Sequence, residues 1–385
     1  MTSNFTELFL LQKGLTFLNH GSFGACPIPV FKTYQDWQLR LEQQPVAFLD
    51  PARDFITNLS KPRAALAKLF NTSGSNLVRV SNATEGLNAI ARSISLAEGD
   101  EILTADHEYA AVEKTWAFMA GKVDAKIVRA TVTLPLVSQD QFFADIADQM
   151  TERTKILLLS HITSPTALVF PIKQIVDEAR RRGIITVIDG AHAPGLIDLD
   201  LDALGADFYV GNCHKWLLAP KGAGFLWAHP NWQGKLEPLV ISHGWNIADR
   251  NEGRTAFLDE FEIQGTQDPA AWLAVPAALE FRETHKWHDV SEECRVRAQA
   301  LSQRVAKITK IAPLCSPEFC APQMVAMPMP KSDPRALKSY LLDEWNIEIP
   351  VFDWNGQTFV RVSVAAYNSD DDLNKLANAL EAYFD

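Results

Sequence analysis

The sequence has no excess of positive charge, no membrane-length apolar run, no CxxC pair, no internal repeat and no low-complexity tract. Each absence removes a class of protein. Net charge is −11, with 36 Lys and Arg against 47 Asp and Glu, so a nucleic-acid backbone finds no electrostatic support here. No apolar stretch approaches the ~20 residues of a membrane span, and Leu8 to Leu11 is too short for a signal-peptide core. Five cysteines (Cys26, Cys213, Cys294, Cys315, Cys320) form an odd, scattered set. They read as reduced thiols in a cytosol, not as a disulfide frame or a zinc site. No GxGxxG follows the early strands, and Gly21 to Gly24 does not supply one, which argues against a dinucleotide fold.

What remains is a chain of 385 residues, 47% hydrophobic and 22% charged, the composition of a globular cytoplasmic protein with a large core. From about 60 to 230, short apolar runs alternate with amphipathic stretches, which predicts an α/β domain with a mostly parallel sheet. Leu77 to Val80 reads as a strand feeding a helix with Leu87, Ile90, Ala91 and Ile94 on one face. Ile156–Leu159 and Ile184–Ile188 read as strands buried on both sides, with a helix between them that ends at Gly183. Phe208–Val210 and Gly224–Trp227 add two more. After about 265, helices dominate, with a strand at Phe359–Val364 and a last helix opened by Ser369 and three aspartates. The expected division is an N-terminal segment (1–45) packing on both domains, a large α/β domain (46–265) and a smaller α+β domain (266–385).

Three places look chemical. Asp189 closes a buried strand, where a carboxylate must find a partner and where open α/β sheets bind ligands. Lys215, in Gly-Asn-Cys-His-Lys-Trp just after another strand, falls at the same sheet edge; a desolvated lysine has a lowered pKa and forms Schiff bases. Asn82 and Glu85 have capping-box spacing at a helix start that offers free N–H groups to an anion, with the Thr84 hydroxyl beside them. Singly, each has a plain structural explanation: a turn cap, a surface lysine, a helix cap. Together, in this chain order, they are the phosphate cradle, pyridine-nitrogen partner and Schiff-base lysine that pyridoxal phosphate requires.

At that point the sequence resembles a class V, fold-type I pyridoxal-phosphate enzyme, within the isopenicillin N epimerase-like branch and close to cysteine desulfurases. The resemblance runs from Phe17–Ser22 to Arg361–Ser363 and Tyr367-Asn368, and the span Asp189 to Lys215 is its most specific part. It implies that Ala83 and Thr84, with Asn212 and His214, bind the phosphate. Thr266, after Gly265, would reach the phosphate of a partner subunit, which implies a homodimer. Tyr109 would stack on the pyridine ring, with His107 the other candidate two positions away. Ser164 and His192 would lie near the ring's phenolic oxygen. Arg361 would bind the substrate α-carboxylate, and Asn19 and His20 would lie near the substrate.

The resemblance implies an enzyme at the α-carbon of an amino acid. Lys215 is its general base, Asp189 keeps the ring protonated, and inversion follows reprotonation by Tyr109, His107 or water. A C–S lyase acting on a cysteine conjugate or sulfoxide and a class V aminotransferase share this frame. A non-catalytic sensor or scaffold is the rival of another class, and retention of Lys215, Asp189 and Arg361 together counts against it. One departure concerns sulfur: desulfurases carry a nucleophilic cysteine shortly before the arginine that corresponds to Arg361, and the run 345–360 has none. His192 also stands where desulfurases usually carry Gln.

Overall fold

Five strands in the middle of the chain contain almost nothing that water touches, which requires cover on both faces of a sheet. The computed structural model describes residues 5–248, 250 and 253–384, so the first four residues of the N-terminal segment lie outside it. The strands are β1 (Leu77–Val80), β2 (Glu101–Ala105), β3 (Lys126–Ala130), β4 (Thr154–Ser160), β5 (Ile185–Gly190), β6 (Phe208–Asn212) and β7 (Gly224–Ala228). Their order is β1-β7-β6-β5-β4-β2-β3. The run from β6 to β3 is parallel, and β7 is antiparallel to both its neighbours.

Side chains alternate between two cores, as the two-residue period of a strand demands. Leu157, Leu159 and Ile188 face one core; Ile156, Leu158 and Val187 face the other. The helices covering these faces include α1 (Ile28–Gln43), α2 (Phe55–Leu69), α3 (Ala83–Ser93), α4 (Ala110–Ala120) and α5 (Lys173–Arg181). Gly183, at φ +72°, turns the chain out of α5 into β5, as its position in the sequence predicts.

A third core lies between α6 (Trp287–Thr309), α7 (Pro334–Asp343), α8 (Asp370–Phe384) and a three-stranded antiparallel sheet. Its strands are β8 (Met324–Pro328), β9 (Val351–Trp354) and β10 (Gln357–Ser363), in the order β9-β10-β8. Asn355 and Gly356, both at positive φ, make the tight turn between β9 and β10. The helices Ala270–Leu273 and Val275–Thr284 bury Trp272, Val275 and Phe281 in the large core, although they follow the expected boundary at 265. Near the N-terminus, Phe5, Phe9 and Val30 enter the large core, while Leu18 enters the third core. Thr16–Phe17 pairs with Ile347–Glu348.

Candidate active site

The carboxyl ends of β1, β4, β5 and β6 converge. Asp189 is the next-to-last residue of β5, in register with Ser160 of β4 and Val210 of β6. Its carboxylate accepts the Ala191 N–H at 2.9 Å. Burial pushes the carboxyl up, against the pull of that N–H and of Lys215. Lys215 follows the end of β6 by three residues, and its Nζ lies 3.1 Å from His192 Nε2. Burial and the Arg361 cation bring the amine down to about 7, and Asp189 opposes them. The His192 imidazole is held neutral, its pKa pushed well down by burial and then by Lys215 and Arg361.

The Lys215 loop is held from behind. His20 Nε2 lies 3.0 Å from the Lys215 carbonyl oxygen, and Nδ1 lies 2.9 Å from the Tyr367 hydroxyl. A carbonyl accepts, so the neutral ring carries its proton on Nε2. Burial lowers His20 to about 4, which keeps it in that form. Gly24, at φ +71°, brings this turn so close that a Cβ there would lie 2.0 Å from the His214 carbonyl oxygen.

At the start of α3, Asn82 caps the helix by accepting the Glu85 N–H at 3.0 Å. The reciprocal half of the expected capping box is shifted: the Glu85 carboxylate takes the Ser81 N–H at 2.8 Å. The Ala83 N–H goes to Asn212 Oδ1 at 2.8 Å, tying the helix start to the end of β6. His214 completes this end; burial and then Lys215 lower its imidazole to about 4, against a backbone hydrogen bond at Ala223, and its buried Nδ1 has no partner among the described residues.

Across from Lys215, β10 supplies Arg361. Its Nη1 donates to the Ser164 carbonyl and hydroxyl at 2.5 and 3.0 Å, and its Nη2 to Ser22 Oγ at 3.0 Å, leaving Nε buried and without a partner among the described residues. Burial lowers the guanidinium to about 10, so it remains a cation at neutral pH. Tyr109 holds the N-cap position of α4 without a side-chain capping bond and is 46% exposed. His107 does not reach the same space: it is buried, its Nδ1 2.6 Å from Thr166 Oγ1 and its ring 4.4 Å from that of Trp354. The Glu108 carboxylate accepts the Ser160 N–H and hydroxyl at 3.0 and 2.6 Å, and burial pushes it up to about 8.

These groups enclose a cleft of about 410 Å³, lined by every expected site residue except Asn19, His20 and Thr266. Asn19 accepts from Ser22, and so braces the serine that holds Arg361. His20 acts behind the lysine loop, where burial removes it from the cleft. Thr266 is exposed and outside the cleft of its own chain. Ser22, Ser160 and Lys221 line the cleft without having been singled out in the sequence. Ser22 lies inside the motif at Phe17–Ser22, so its signal was present. Ser160 needs the register of β4 against β5 to be seen.

The family model described as Aminotransferase class-V matches residues 27–376. The chain belongs to that family. An isopenicillin N epimerase from Amycolatopsis lactamdurans is 36% identical, over 98% of this chain and 98% of that protein. A probable chloroplastic L-cysteine desulfhydrase from Arabidopsis thaliana is 28% identical, over 94% of this chain and 82% of that protein. Among solved structures, a mutant of C-DES with glycine covalently linked to its PLP cofactor superposes with a TM-score of 0.79 at 21% identity, covering 97% and 98% of the two chains. That likeness shows the fold.

This class-V cleft fits pyridoxal phosphate on its own evidence. Three residues that line it, His192, His214 and Arg361, each keep a buried nitrogen (Nδ1, Nδ1 and Nε) with no hydrogen-bond partner among the described residues. Leaving such groups unsatisfied costs about 1–3 kcal/mol each, a cost that a ligand with acceptor atoms removes. The donor set is also the right one: an amine of lowered pKa, a buried carboxylate and a helix start beside an imidazole.

Proposed function

We propose that this chain is a pyridoxal-phosphate enzyme that acts at the α-carbon of an amino acid and inverts it. The observation that carries the reading is Lys215: a buried amine lowered to about 7, beside the strand-end Asp189 and facing the Arg361 cation. When bound, the cofactor supplies an aldehyde for that amine and a protonated ring that withdraws electrons from the α-carbon.

The protein residues then divide the work. Ala83, Thr84, Asn212 and His214 hold the phosphate at the start of α3. Asp189 would hold the proton on the ring nitrogen, and Tyr109 would cover one ring face. Ser164 and His192 would lie toward the phenolic oxygen. Arg361 anchors the substrate α-carboxylate. Lys215 Nζ removes the α-proton, a task for which an amine near 7 is well matched at neutral pH. Return of a proton to the opposite face falls to Tyr109 or water, because His107 is sealed behind Trp354.

The L-cysteine desulfhydrase relative supports a second reading, C–S lysis, in which the same base precedes loss of the Cβ substituent. A homodimer accords with the exposed Thr266, outside the cleft of its own chain. We place the protein in the cytoplasm; among the described residues, no helix is long and apolar enough to cross a membrane.

The test has two parts. A visible band lost to borohydride, with the cofactor then fixed on the Lys215 peptide, establishes the cofactor; no band after loading sinks the reading. Incubation of candidate substrates in D2O then separates the outcomes. Inversion with α-deuterium supports epimerisation, whereas a 2-oxo acid with a sulfur leaving group supports the lyase.

A further inference from the structure

A second hollow of about 510 Å³ opens beside the cleft and shares Tyr109, Ser164 and Arg361 with it. Arg361 therefore stands on the partition. With the cofactor in the cleft and the substrate α-carboxylate at Arg361, the hollow is the adjoining space for a side chain. Its apolar wall is Pro165, Pro350, Phe352 and Trp354.

Trp354 is fixed before anything binds. Its indole N–H donates to the Asp106 carbonyl at 3.1 Å, and its ring lies 4.4 Å from that of His107 and 6.0 Å from that of Phe359. A wall already in place adds little ordering cost to binding. The charges on the hollow are uneven. Arg129 Nε is taken up by Glu113 at 2.8 Å, while the exposed Asp353 carboxylate has no ion pair among the described residues. The Asp106 carboxylate also lines it, accepting the Val132 N–H at 3.1 Å, with the neutral imidazole of His107 3.5 Å away and no Lys or Arg paired to it among the described residues. A side chain ending in a carboxylate meets like charge there; a neutral or cationic end does not.

We propose that this hollow receives the substrate side chain and selects α-amino acids with a long, largely apolar side chain ending in a neutral or cationic group. The proposal rests on the reading of the cleft given above. It favours a large substrate over cysteine, whose short side chain would leave the hollow to water.

The test titrates the holoenzyme with L-alanine, Nε-benzoyl-L-lysine and Nε-succinyl-L-lysine, following the visible absorption of the bound cofactor. The benzoyl compound binds roughly tenfold or more tightly than alanine, the return expected from burying an apolar side chain. The succinyl compound, similar in length but acid-ended, binds more weakly than the benzoyl one. Trp354→Ala brings the benzoyl-to-alanine ratio close to one, and Trp354→Phe retains it. Asp353→Lys, at an exposed position, narrows the gap between the succinyl and benzoyl compounds without touching the packed wall. Equal binding of all three probes, or ratios unmoved in these variants, overturns the assignment while the cofactor reading stands. A protein with no visible band after loading overturns both.

Discussion

Around the cleft, the reactive groups stand on the ends of buried strands: Asp189, Asn212 and Lys215 are each less than a tenth exposed. Around the hollow, the groups stand on the β9–β10 hairpin and neighbouring loops, with Asp353 exposed and Phe352 and Trp354 half-buried. The difference is one of constraint. Moving Asp189 means moving a strand paired on both sides, at the cost of core packing. Changing Asp353 touches a surface position, where substitutions usually alter stability by about 0.5 kcal/mol or less. On the proposed reading, a frame built this way would fix where the α-carbon reacts and leave the choice of side chain to residues that change cheaply.

Lys215→Ala gives the sharpest test of that division. Loss of a general base lowers the rate by roughly 10²- to 10⁴-fold, and the covalent link to the cofactor disappears with it. Where cofactor is still retained, the preference of the hollow for large over small amino acids persists, because Lys215 does not line it. Preference and rate lost together in that variant would break the comparison. Arg361→Lys acts on the partition and affects both sides. Replacing a forked guanidinium by a point charge forfeits hydrogen bonds to a carboxylate worth about 1.5–3 kcal/mol, so KM rises roughly 10- to 100-fold for large and small substrates alike. A rise confined to large substrates would place Arg361 in the hollow alone.

The same contrast decides what could be read in the sequence. Asp189, Lys215 and the Asn82 cap were legible because strand-to-loop transitions leave local marks: an apolar run that ends on a charge, a cap followed by a helical face. The strands β2 and β3 went unread, since Glu101–Ala105 and Lys126–Ala130 are short and carry charged residues in their runs. The hairpin β9–β10 had a signal in Asn355-Gly356, a strong turn pair, yet only its second strand was expected. His20 was placed near the substrate because nothing local tells a buried histidine that braces a carbonyl from one that meets a ligand. The two cavities are joined by residues more than 250 positions apart in the chain, Tyr109 and Arg361, and only the folded sheet brings them together.

Protonation sharpens the comparison at lower amplitude. The neutral Lys215 amine is the form that attacks an aldehyde, so loading of cofactor-free protein accelerates through a midpoint near pH 7 and then levels. A lysine at its ordinary value of 10.5 would show no plateau in that range. Arg361 is the second cause of the lowering, after burial, because a neighbouring cation disfavours a protonated amine. Arg361→Gln removes that cation and moves the midpoint to higher pH. Stopped-flow absorbance across pH 5.5–9.5 reads both midpoints, and an unchanged one would detach Arg361 from the lysine.

The smallest effect belongs to the cysteines, and it bears on the route of any sulfur chemistry. Cys315 and Cys320 lie with their sulfurs 2.8 Å apart in a loop whose backbone bonds to 167–169, behind the Ser164 turn that both cavities share. No cysteine lines either cavity. A persulfide route needs a thiol that reaches substrate sulfur, whereas elimination at Cβ needs only the base at Lys215. Cys315→Ser with Cys320→Ser, a near-isosteric exchange at two partly buried positions that line neither cavity, therefore changes kcat/KM by no more than about twofold. If instead the double variant lost tenfold in sulfide release while its other α-carbon reactions held, a thiol of that loop would have to move into the cleft. The hollow would then be the passage for a mobile loop and not a fixed pocket for a side chain.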